Sequence, residues 1–251
     1  MIQNYWKSQK HKTIQKQTKI LSRRMFPLKQ ARRIKCDRQR NGDKYKIHGI
    51  YSNVVFSKMT KAELRKIYLA RQKNLLPQQR KEKSAQIANF VFQNFDLTPV
   101  RILHCFLPIE KFSEIDTNLI FQKIWREFPR IVTLAPRVNF QTREIESQKF
   151  TTDTKLLENA WSILEPPGGE SVKTKEIDIV LVPLLCFDET GFRVGYGKGY
   201  YDKFLKNCRA DCLKIGLSYF EPVAEIADTQ DFDVKLDFCV TPEKIVNFKR
   251  E

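Results

Sequence analysis

The sequence predicts a single α/β domain of the Rossmann-like kind, with three layers in which helices cover both faces of a mostly parallel sheet. Segments typical of strands and of helices alternate along residues 58–251, and such alternation favours parallel pairing. The clearest strand, residues 177–182, is a nearly continuous apolar run, as expected for a parallel strand that is buried on both faces. The 251 residues are enough for one domain with a full core.

The elements follow from apolar spacing and from helix signals. Leu64, Ile67 and Tyr68 recur at helical intervals and predict a helix over 61–74, and Pro77 is suited to the first turn of a second helix. The remaining predictions are strands at 102–107, 131–135, 145–150, 177–182, 214–219 and 238–241, and helices at 117–127 and 200–208. Ligands of such sheets bind at the carboxyl ends of the strands, which places loop 195–199 and the segments after Leu107 and Tyr219 along one crevice.

The net charge of +16 is concentrated at one end of the chain. Residues 1–57 contain 15 Lys and Arg against 2 Asp and Glu, whereas residues 58–251 contain 30 against 27. We therefore divide the chain into a basic N-terminal extension, 1–57, and a domain, 58–251. The extension is expected to be disordered or dispensable, since a start at Met59 would leave a compact domain. A transit peptide for an organelle and a basic arm that binds nucleic acid non-specifically remain alternatives.

Other classes of protein are disfavoured by composition. The longest apolar run contains Asp178 and Pro183, so no membrane-spanning helix is predicted, and the extension has no apolar core of a signal peptide. The six cysteines have neither the spacing of a zinc site nor that of a disulfide framework. Reduced thiols and a cytoplasmic location are the expectation, with an organelle as the alternative if 1–57 is a transit peptide.

A glycine-rich loop after the strand at 177–182 predicts a phosphate-binding site. Glycines at alternate positions allow several backbone N–H groups to point at one anion, while an arginine and a lysine supply neutralising charge. The residues are Arg193, Gly195, Tyr196, Gly197, Lys198 and Gly199, followed by Tyr200, Tyr201 and Asp202 at the start of a helix. Asp202 lies where a Mg²⁺ ion that bridges the phosphate could be held. The spacing matches neither a Walker nor a dinucleotide-binding loop, and a tight turn from strand to helix is the structural alternative.

Four further positions could contribute chemistry, and each also has an ordinary structural interpretation. Lys61 and Arg65 are one helical turn apart and could hold one phosphate, or they could form a solvated helix edge. Glu114 could accept hydrogen bonds from an N–H-rich heterocycle or complement a helix N-terminus. Asp233, with Asp231 and Asp237 nearby, could complete the Mg²⁺ site or belong to a solvated loop. Trp161 could stack on an aromatic ligand or anchor packing.

Taken together, these residues resemble the 5-formyltetrahydrofolate cyclo-ligase family, over about residues 58–246. The resemblance lies in four motifs, of which the last is highly specific: Lys61-x-x-x-Arg65, Glu114-Ile115-Asp116-Thr117, Ala135-Pro136-Arg137, and the block from Val182 to Asp202 that includes Gly191-x-Arg193-x-Gly195-Tyr196-Gly197-Lys198-Gly199-Tyr200-Tyr201-Asp202. Two features depart from the family: Tyr196 stands where some members have Arg, and residues 1–57 have no counterpart.

The resemblance implies an ATP- and Mg²⁺-dependent ring closure of 5-formyltetrahydrofolate to 5,10-methenyltetrahydrofolate, with release of ADP and phosphate. It implies that Lys61, Arg65 and residues 193–201 bind ATP, with Arg193 and Lys198 catalytic, and that Asp202 and Asp233 hold Mg²⁺. Folate would contact Glu114 and either Leu107 or Ile109, because a short insertion leaves the register of that last contact open. Trp161, as a possible stacking surface, is added to these predicted substrate contacts. A formyl group phosphorylated by ATP would be the intermediate, formed without a side-chain nucleophile.

A monomeric enzyme of one-carbon metabolism is therefore expected, with 5-formyltetrahydrofolate and ATP as its small-molecule partners. Two rival hypotheses remain open from the sequence. The first is a nucleic-acid-binding protein acting through its basic arm, which the near-balanced charge of 58–251 disfavours. The second is another ATP-dependent kinase or ligase with the same scaffold and a different substrate.

Overall fold

The structure is a computed structural model that describes residues 58–169 and 171–249. The basic extension and Cys36 lie outside the described residues. The helices are α1 (Lys61–Lys73), α2 (Pro77–Asn94), α3 (Asn118–Glu127) and α4 (Tyr200–Lys206). The strands are β1 (Ile102–Cys105), β2 (Val132–Asn139), β3 (Glu144–Lys149), β4 (Leu157–Glu158), β5 (Leu164–Glu165), β6 (Ser171–Val172), β7 (Ile179–Pro183), β8 (Cys186–Phe187), β9 (Arg193–Val194), β10 (Leu213–Leu217), β11 (Phe238–Val240) and β12 (Ile245–Asn247).

The central sheet has eight strands in the order β12-β11-β10-β7-β1-β2-β3-β6. Its five middle strands, from β11 to β2, pair in parallel, whereas β12, β3 and β6 are antiparallel to their neighbours at the two edges. The prediction of a mostly parallel α/β domain is therefore confirmed. Residues Ile179, Val180, Leu181 and Val182 of β7 are buried, as a strand in the middle of a covered sheet requires.

Helices cover both faces of this sheet, which confirms the predicted layers. On one face, Ile87 of α2 and Ile120 of α3 pack in a cluster with Leu181 of β7. On the other face, Phe204 and Leu205 of α4 pack with Val180 and Val182 in a second cluster. Because side chains alternate along a strand, β7 contributes to both clusters.

Helix α1 packs away from the central sheet, against the β8–β9 hairpin. Leu64 and Tyr68 of α1 share a third apolar cluster with Cys186 of β8 and Val194 of β9. Thr60 begins the helix through a capping box: its side chain accepts a hydrogen bond from the Glu63 backbone, and the Glu63 carboxylate accepts one from the Thr60 N–H at 2.9 Å. This arrangement fixes α1 next to the glycine-rich loop that follows β9.

The structure corrects several predicted bounds. The strand predicted at 131–135 runs to Asn139, because residues 136–139 pair with the antiparallel β3. Helix α4 ends at Lys206, short of the predicted 208. Strands β4, β5, β6, β8, β9 and β12 were not predicted, since all are two or three residues long and too short to show a clear apolar pattern. The five cysteines among the described residues are free, as expected. In residues 58–169 and 171–249, no helix is long and apolar enough to cross a membrane.

Candidate active site

One pocket of about 810 Å³ opens at the carboxyl ends of the parallel strands. All sixteen residues singled out from the sequence line it: Lys61, Arg65, Leu107, Ile109, Glu114, Trp161, Arg193, Gly195, Tyr196, Gly197, Lys198, Gly199, Tyr200, Tyr201, Asp202 and Asp233. The segment after Tyr219 reaches the same pocket through Asp228 and Asp233. The residues thus share one cavity, and the ligand that each contacts remains a prediction.

Helix α1 presents two cations to this pocket from one face. The Lys61 ammonium forms an ion pair with Asp233, and both side chains are more than four-fifths buried. Arg65 donates from Nε to the carbonyl oxygen of Gly195 at 2.9 Å. The spacing of four residues therefore brings both side chains to the pocket, as the sequence predicted. The competing interpretation of a solvated helix edge is wrong for this pair.

The glycine loop needs glycine at two of its three positions. Gly197 has φ +92°, and a Cβ there would stand 3.0 Å from Cζ of Arg65. Gly199 has φ +70° and is the N-cap residue of α4. Left-handed backbone of this kind is costly for residues with a Cβ. Gly195 has no positive φ, and a Cβ there would meet nothing within 4 Å. Backbone conformation therefore explains why glycine stands at 197 and 199, and the protein structure gives no reason for glycine at 195.

Arg193 places a buried positive charge beneath the loop. It is 9 % exposed and donates from Nη2 to Oδ1 of Asp202 at 2.9 Å, and from Nη1 to the carbonyl of Val234. Burial lowers the pKa of Arg193 below its ordinary value, while the carboxylates of Asp202 and Asp233 act in the opposite direction. Because an arginine stays protonated in proteins, these carboxylates balance a permanent cation.

Each of the two predicted metal ligands pairs with a cation of the pocket. Asp202 contacts Arg193, and Asp233 contacts Lys61 and accepts a hydrogen bond from the Gln230 N–H at 2.6 Å. Among the described residues, no group of three or more His, Cys, Asp or Glu could enclose a metal ion. Two carboxylates nevertheless suit Mg²⁺, which usually binds through one or two carboxylates, several waters and the phosphates of a nucleotide. The donor set therefore fits a Mg²⁺ that arrives with a polyphosphate.

Glu114 occupies the other end of the pocket, in apolar surroundings. Its Oε2 accepts a hydrogen bond from the Ile109 N–H at 2.8 Å. Burial raises the pKa of Glu114 to about 7, while the neighbouring Tyr196 hydroxyl and the Ile109 N–H act against the rise. At the start of α3, the Asp116 carboxylate accepts a hydrogen bond from the Asn118 N–H at 3.1 Å.

Apolar and aromatic side chains complete the wall beside Glu114. Leu107 is buried at 8 % exposed, and Ile109 is half-buried, so both candidates for the second folate contact line the pocket. Trp161 is 43 % exposed on the loop between β4 and β5, and its ring meets that of Phe140 edge to face at 4.5 Å between centroids. Such exposure does not suit an anchor of packing, and it leaves the indole available to a ligand.

The Tyr201 hydroxyl is buried and has no hydrogen-bond partner among the described residues. Burial raises the pKa of Tyr201 well above its ordinary value, so the group stays a neutral donor. A buried hydroxyl without a partner is costly, and a ligand in the pocket could supply the missing acceptor.

Two polar residues of the site escaped sequence reasoning. Gln72, 3 % exposed, donates from Nε2 to the Phe112 carbonyl at 2.8 Å and to the Tyr196 hydroxyl at 3.3 Å. Asp228 lines the pocket and accepts a hydrogen bond from the Lys61 N–H at 2.6 Å. Gln72 lies seven residues after Arg65, on the same helix face, so helical spacing could have found it. No local signal distinguishes Asp228 from its acidic neighbours.

Comparison with known proteins agrees with this geometry. The family model described as the 5-formyltetrahydrofolate cyclo-ligase family matches residues 57–242. The chain is similar to the 5-formyltetrahydrofolate cyclo-ligase of Escherichia coli K12, with 26 % identity over 70 % of this chain and 96 % of that protein. Its similarity to the mouse protein of the same name, at 27 % identity, covers 50 % of this chain and 66 % of the relative, slightly less than two thirds.

The solved structure of Aquifex aeolicus 5,10-methenyltetrahydrofolate synthetase has the same fold. It superposes with a TM-score of 0.66 and 28 % identity, covering 77 % of this chain and 95 % of that one. The family model spans nearly all of the described residues and includes the whole pocket. The chain therefore belongs to the 5-formyltetrahydrofolate cyclo-ligase family, a family of ligases.

Proposed function

We propose that this protein catalyses the ATP-dependent cyclisation of 5-formyltetrahydrofolate to 5,10-methenyltetrahydrofolate, with release of ADP and phosphate. The observation that carries the proposal is the division of one pocket into two ends. One end presents Lys61, Arg65 and the loop 193–199, whereas the other presents Glu114 in an apolar and aromatic wall. A polyphosphate fits the first end and a heterocycle with N–H donors fits the second, so the two reactants meet between them.

At the phosphate end, catalysis requires charge more than a nucleophile. Arg193 and Lys198 neutralise charge on the transferred phosphoryl group, while Lys61 and Arg65 hold the rest of the triphosphate with the backbone N–H groups of the loop. Because Arg193 is already fixed by Asp202 and by the Val234 carbonyl, its position costs little reorganisation during the reaction. Tyr200 and Tyr201 line the same pocket and would contact the nucleotide.

At the folate end, the ionised Glu114 carboxylate accepts hydrogen bonds from N–H groups of the pterin ring. Leu107, Ile109 and Trp161 supply apolar contact to the ring system and its neighbouring aromatic group. The half-exposed indole suits the part of the folate that extends towards solvent.

The proposed reaction proceeds in two displacements. The formyl oxygen attacks the γ-phosphorus of ATP, the bond to the β–γ bridging oxygen breaks, and ADP leaves. The lone pair of N10 then attacks the formyl carbon of the phosphorylated intermediate, and the carbon–oxygen bond breaks. Phosphate departs with the former formyl oxygen, N10 gives up its proton, and the methenyl cation remains. Phosphorylation is useful because an amide oxygen is otherwise a poor leaving group.

Asp202 and Asp233 would hold Mg²⁺, and the ion would supply positive charge against the phosphates of the nucleotide. In the structure these carboxylates face Arg193 and Lys61 instead. The same side chains thus balance charge within the protein before a nucleotide arrives.

The remaining expectations extend this proposal to the whole chain. We infer a monomer in the cytoplasm that binds ATP and 5-formyltetrahydrofolate, for which residues 1–57 are dispensable. Any contact with nucleic acid would be non-specific and would depend on the basic extension.

The proposal is tested by incubating the full chain with 5-formyltetrahydrofolate, ATP and Mg²⁺ and following absorbance of the methenyl product. We expect one ADP for each methenyl product, and no turnover with a non-hydrolysable ATP analogue. Product formation without ATP, or without release of ADP, would contradict the proposed reaction. ATP consumption with another acceptor and none with this folate would instead favour a different ligase.

A further inference from the structure

Lys111 is a cation at the folate end of the pocket that the proposed reaction does not use. It lies on a single turn of 3₁₀ helix, Glu110–Phe112, between Ile109 and Glu114 in the sequence. The hydrogen bond from the Ile109 N–H to Oε2 of Glu114, at 2.8 Å, closes this segment and keeps the turn beside Glu114. Lys111 lines the pocket and is exposed, so its charge lies where the pocket meets solvent.

The Lys111 ammonium is held against the loop that carries Trp161. Its Nζ donates to the Trp161 carbonyl oxygen at 2.5 Å, which links the 3₁₀ turn to the loop between β4 and β5. An ammonium has three donors, so this contact leaves others for a ligand. The cation therefore lies beside the half-exposed indole that the proposed function gives to the outer part of the folate.

The charge of Lys111 is not balanced in the way that the cations of the phosphate end are. Lys61 pairs with Asp233 and Arg193 pairs with Asp202. Among residues 58–169 and 171–249, no carboxylate forms an ion pair with Lys111. Its neighbour Glu110 faces Arg80 of α2 instead, at 3.9 Å. The folate end thus offers a cation to an anionic group of a ligand.

The folate substrate carries such a group at the end opposite its pterin. There, a glutamate with two carboxylates is joined to the aminobenzoyl ring through an amide. When the pterin contacts Glu114 and the aminobenzoyl ring contacts Trp161, the glutamate extends towards the mouth of the pocket and Lys111. A carboxylate that accepts from an ammonium forms a charge-assisted hydrogen bond, which is stronger than one between neutral groups.

We propose that Lys111 is a specificity-determining residue that binds a glutamate carboxylate of the folate substrate. The inference rests on the proposed function, which assigns the folate to this end of the pocket. The contact is made away from the reacting atoms and is the same before and during the reaction. It therefore acts on KM for the folate and not on kcat.

The experiment compares 5-formyltetrahydrofolate with its diamide, in which both glutamate carboxylates are replaced by carboxamides of nearly the same size. Steady-state kinetics of the full chain are measured with saturating ATP and Mg²⁺. In the parent protein, KM for the diamide should be roughly fivefold higher, at the upper end for an ion pair exposed to solvent. This difference should shrink as salt is added, because exposed charges are screened.

Lys111→Gln removes the charge and keeps an N–H donor for the Trp161 carbonyl. Its KM for 5-formyltetrahydrofolate should rise by roughly fivefold, while KM for the diamide stays nearly the same. The difference between the two substrates should therefore fall below about twofold, within the effect of a weak exposed pair. Lys111→Arg keeps the positive charge and should preserve the difference seen in the parent.

Lys73→Gln is the matched control. Lys73 is a second exposed cation near the same ring, with Nζ 5.9 Å from the Phe112 centroid against 5.6 Å for Lys111. Of the two lysines, Lys111 is the one that lines the pocket. The control should keep the parent's preference for the charged substrate, and thermal unfolding checks that each variant is folded.

The outcomes separate this inference from the proposed function. A Lys111→Gln variant with KM raised equally for both substrates would show that Lys111 only holds the Trp161 loop, and would overturn the inference. Equal loss of preference in Lys73→Gln would also overturn it, since a general field of charge would then be the cause. A parent that turns over both substrates with equal KM would overturn the role of Lys111 and leave the reaction intact. A parent that does not turn over 5-formyltetrahydrofolate would overturn the proposed function, and this inference with it.

Discussion

In the proposed mechanism, Arg193 is the fixed positive charge that neutralises the transferred phosphoryl group. It is nearly buried, it is fixed by two acceptors, and it lies close to both Asp202 and Asp233. A charge held in this way by the fold stabilises developing charge without the cost of reorienting water. Lys198, by contrast, is exposed on the loop, so its position depends more on the ligand.

Arg193→Ala should lower kcat by roughly 10²- to 10³-fold, corresponding to about 2.7–4 kcal/mol for loss of one preorganised transition-state donor. Steady-state kinetics at saturating ATP and Mg²⁺ measure this effect. Arg209→Ala is the matched control, since Arg209 pairs with Asp178 at the amino ends of the strands, away from the pocket. The control should change thermal stability with little effect on kcat. Equal loss of turnover in both variants would mean that the effect of Arg193 is structural.

Glu114 should impose a pH dependence on folate binding. Its pKa is raised to about 7, so the carboxyl becomes protonated as the pH falls through neutrality. A protonated carboxyl accepts fewer hydrogen bonds from the pterin, so kcat/KM for 5-formyltetrahydrofolate should rise with pH and level off above about 7. The profile of kcat/KM reports ionisation of the free enzyme and is the quantity to measure. Glu114→Gln should have low activity, and its kcat/KM should not rise with pH in this range. A rise like that of the parent protein would contradict the assignment of the pH dependence to Glu114.

At the scale of elements, the phosphate loop owes its shape to glycine backbone and to contact with α1. Gly197 and Gly199 adopt positive φ, and Arg65 packs against the loop while binding the Gly195 carbonyl. Helix α1 in turn is fixed on β8 and β9 through Leu64 and Tyr68. The loop is therefore supported from one side by a packed helix and from the other by α4.

Gly197→Ala should lower the free energy of unfolding by roughly 1–2 kcal/mol, because a Cβ is disfavoured at φ +92°. It should also raise KM for ATP, since Arg65 must shift to make room. Gly195→Ala provides the comparison for stability, as its backbone is ordinary and the space beside it is open. Thermal unfolding of the ligand-free proteins distinguishes the two. If both variants lose the same stability, the left-handed turn is not what requires glycine at 197.

Whether an element can be predicted depends on whether a short stretch of the sequence carries a clear signal for it. The spacing of Lys61 and Arg65, the glycine pattern and the apolar run of β7 are local signals, and each led to the correct place in the fold. The β4–β5 hairpin, the antiparallel β12 and the extension of β2 pair with segments close by in the sequence, but each is too short to show a clear alternating pattern. The link from Gln72 to Tyr196 spans 124 positions and could not be inferred from spacing alone.

At the scale of the whole molecule, the charge distribution separates a near-neutral domain from a basic extension. The first described contacts of the domain come from Lys58 and Met59, where Met59 pairs with Ile226 and its carbonyl accepts from the Ala227 N–H at 2.9 Å. Lys58 contributes an exposed ion pair with Glu225, a kind of contact that adds little stability. Among residues 58–169 and 171–249, those that line the pocket begin at Lys61.

A protein that begins at Met59 should therefore fold and turn over 5-formyltetrahydrofolate like the full chain. Its affinity for DNA or RNA at low salt should be lower, because 15 Lys and Arg of the extension are removed. Activity assays and nucleic-acid binding across a salt series, made on both proteins, test the two expectations together. A truncated protein that is folded but inactive would assign residues 1–57 a role in the site. Salt-resistant, sequence-selective binding by the full chain would favour a nucleic-acid function.

The central claim is that ATP activates the formyl oxygen by phosphorylating it. The most direct measurement uses 5-formyltetrahydrofolate labelled with ¹⁸O in the formyl group, followed by mass spectrometry of the released phosphate after a complete reaction with ATP and Mg²⁺. Because the former formyl oxygen leaves with phosphorus, we predict one ¹⁸O in each phosphate and none in ADP. Methenyl product formed together with unlabelled phosphate would contradict the account, since the formyl oxygen would then have left without becoming bonded to phosphorus.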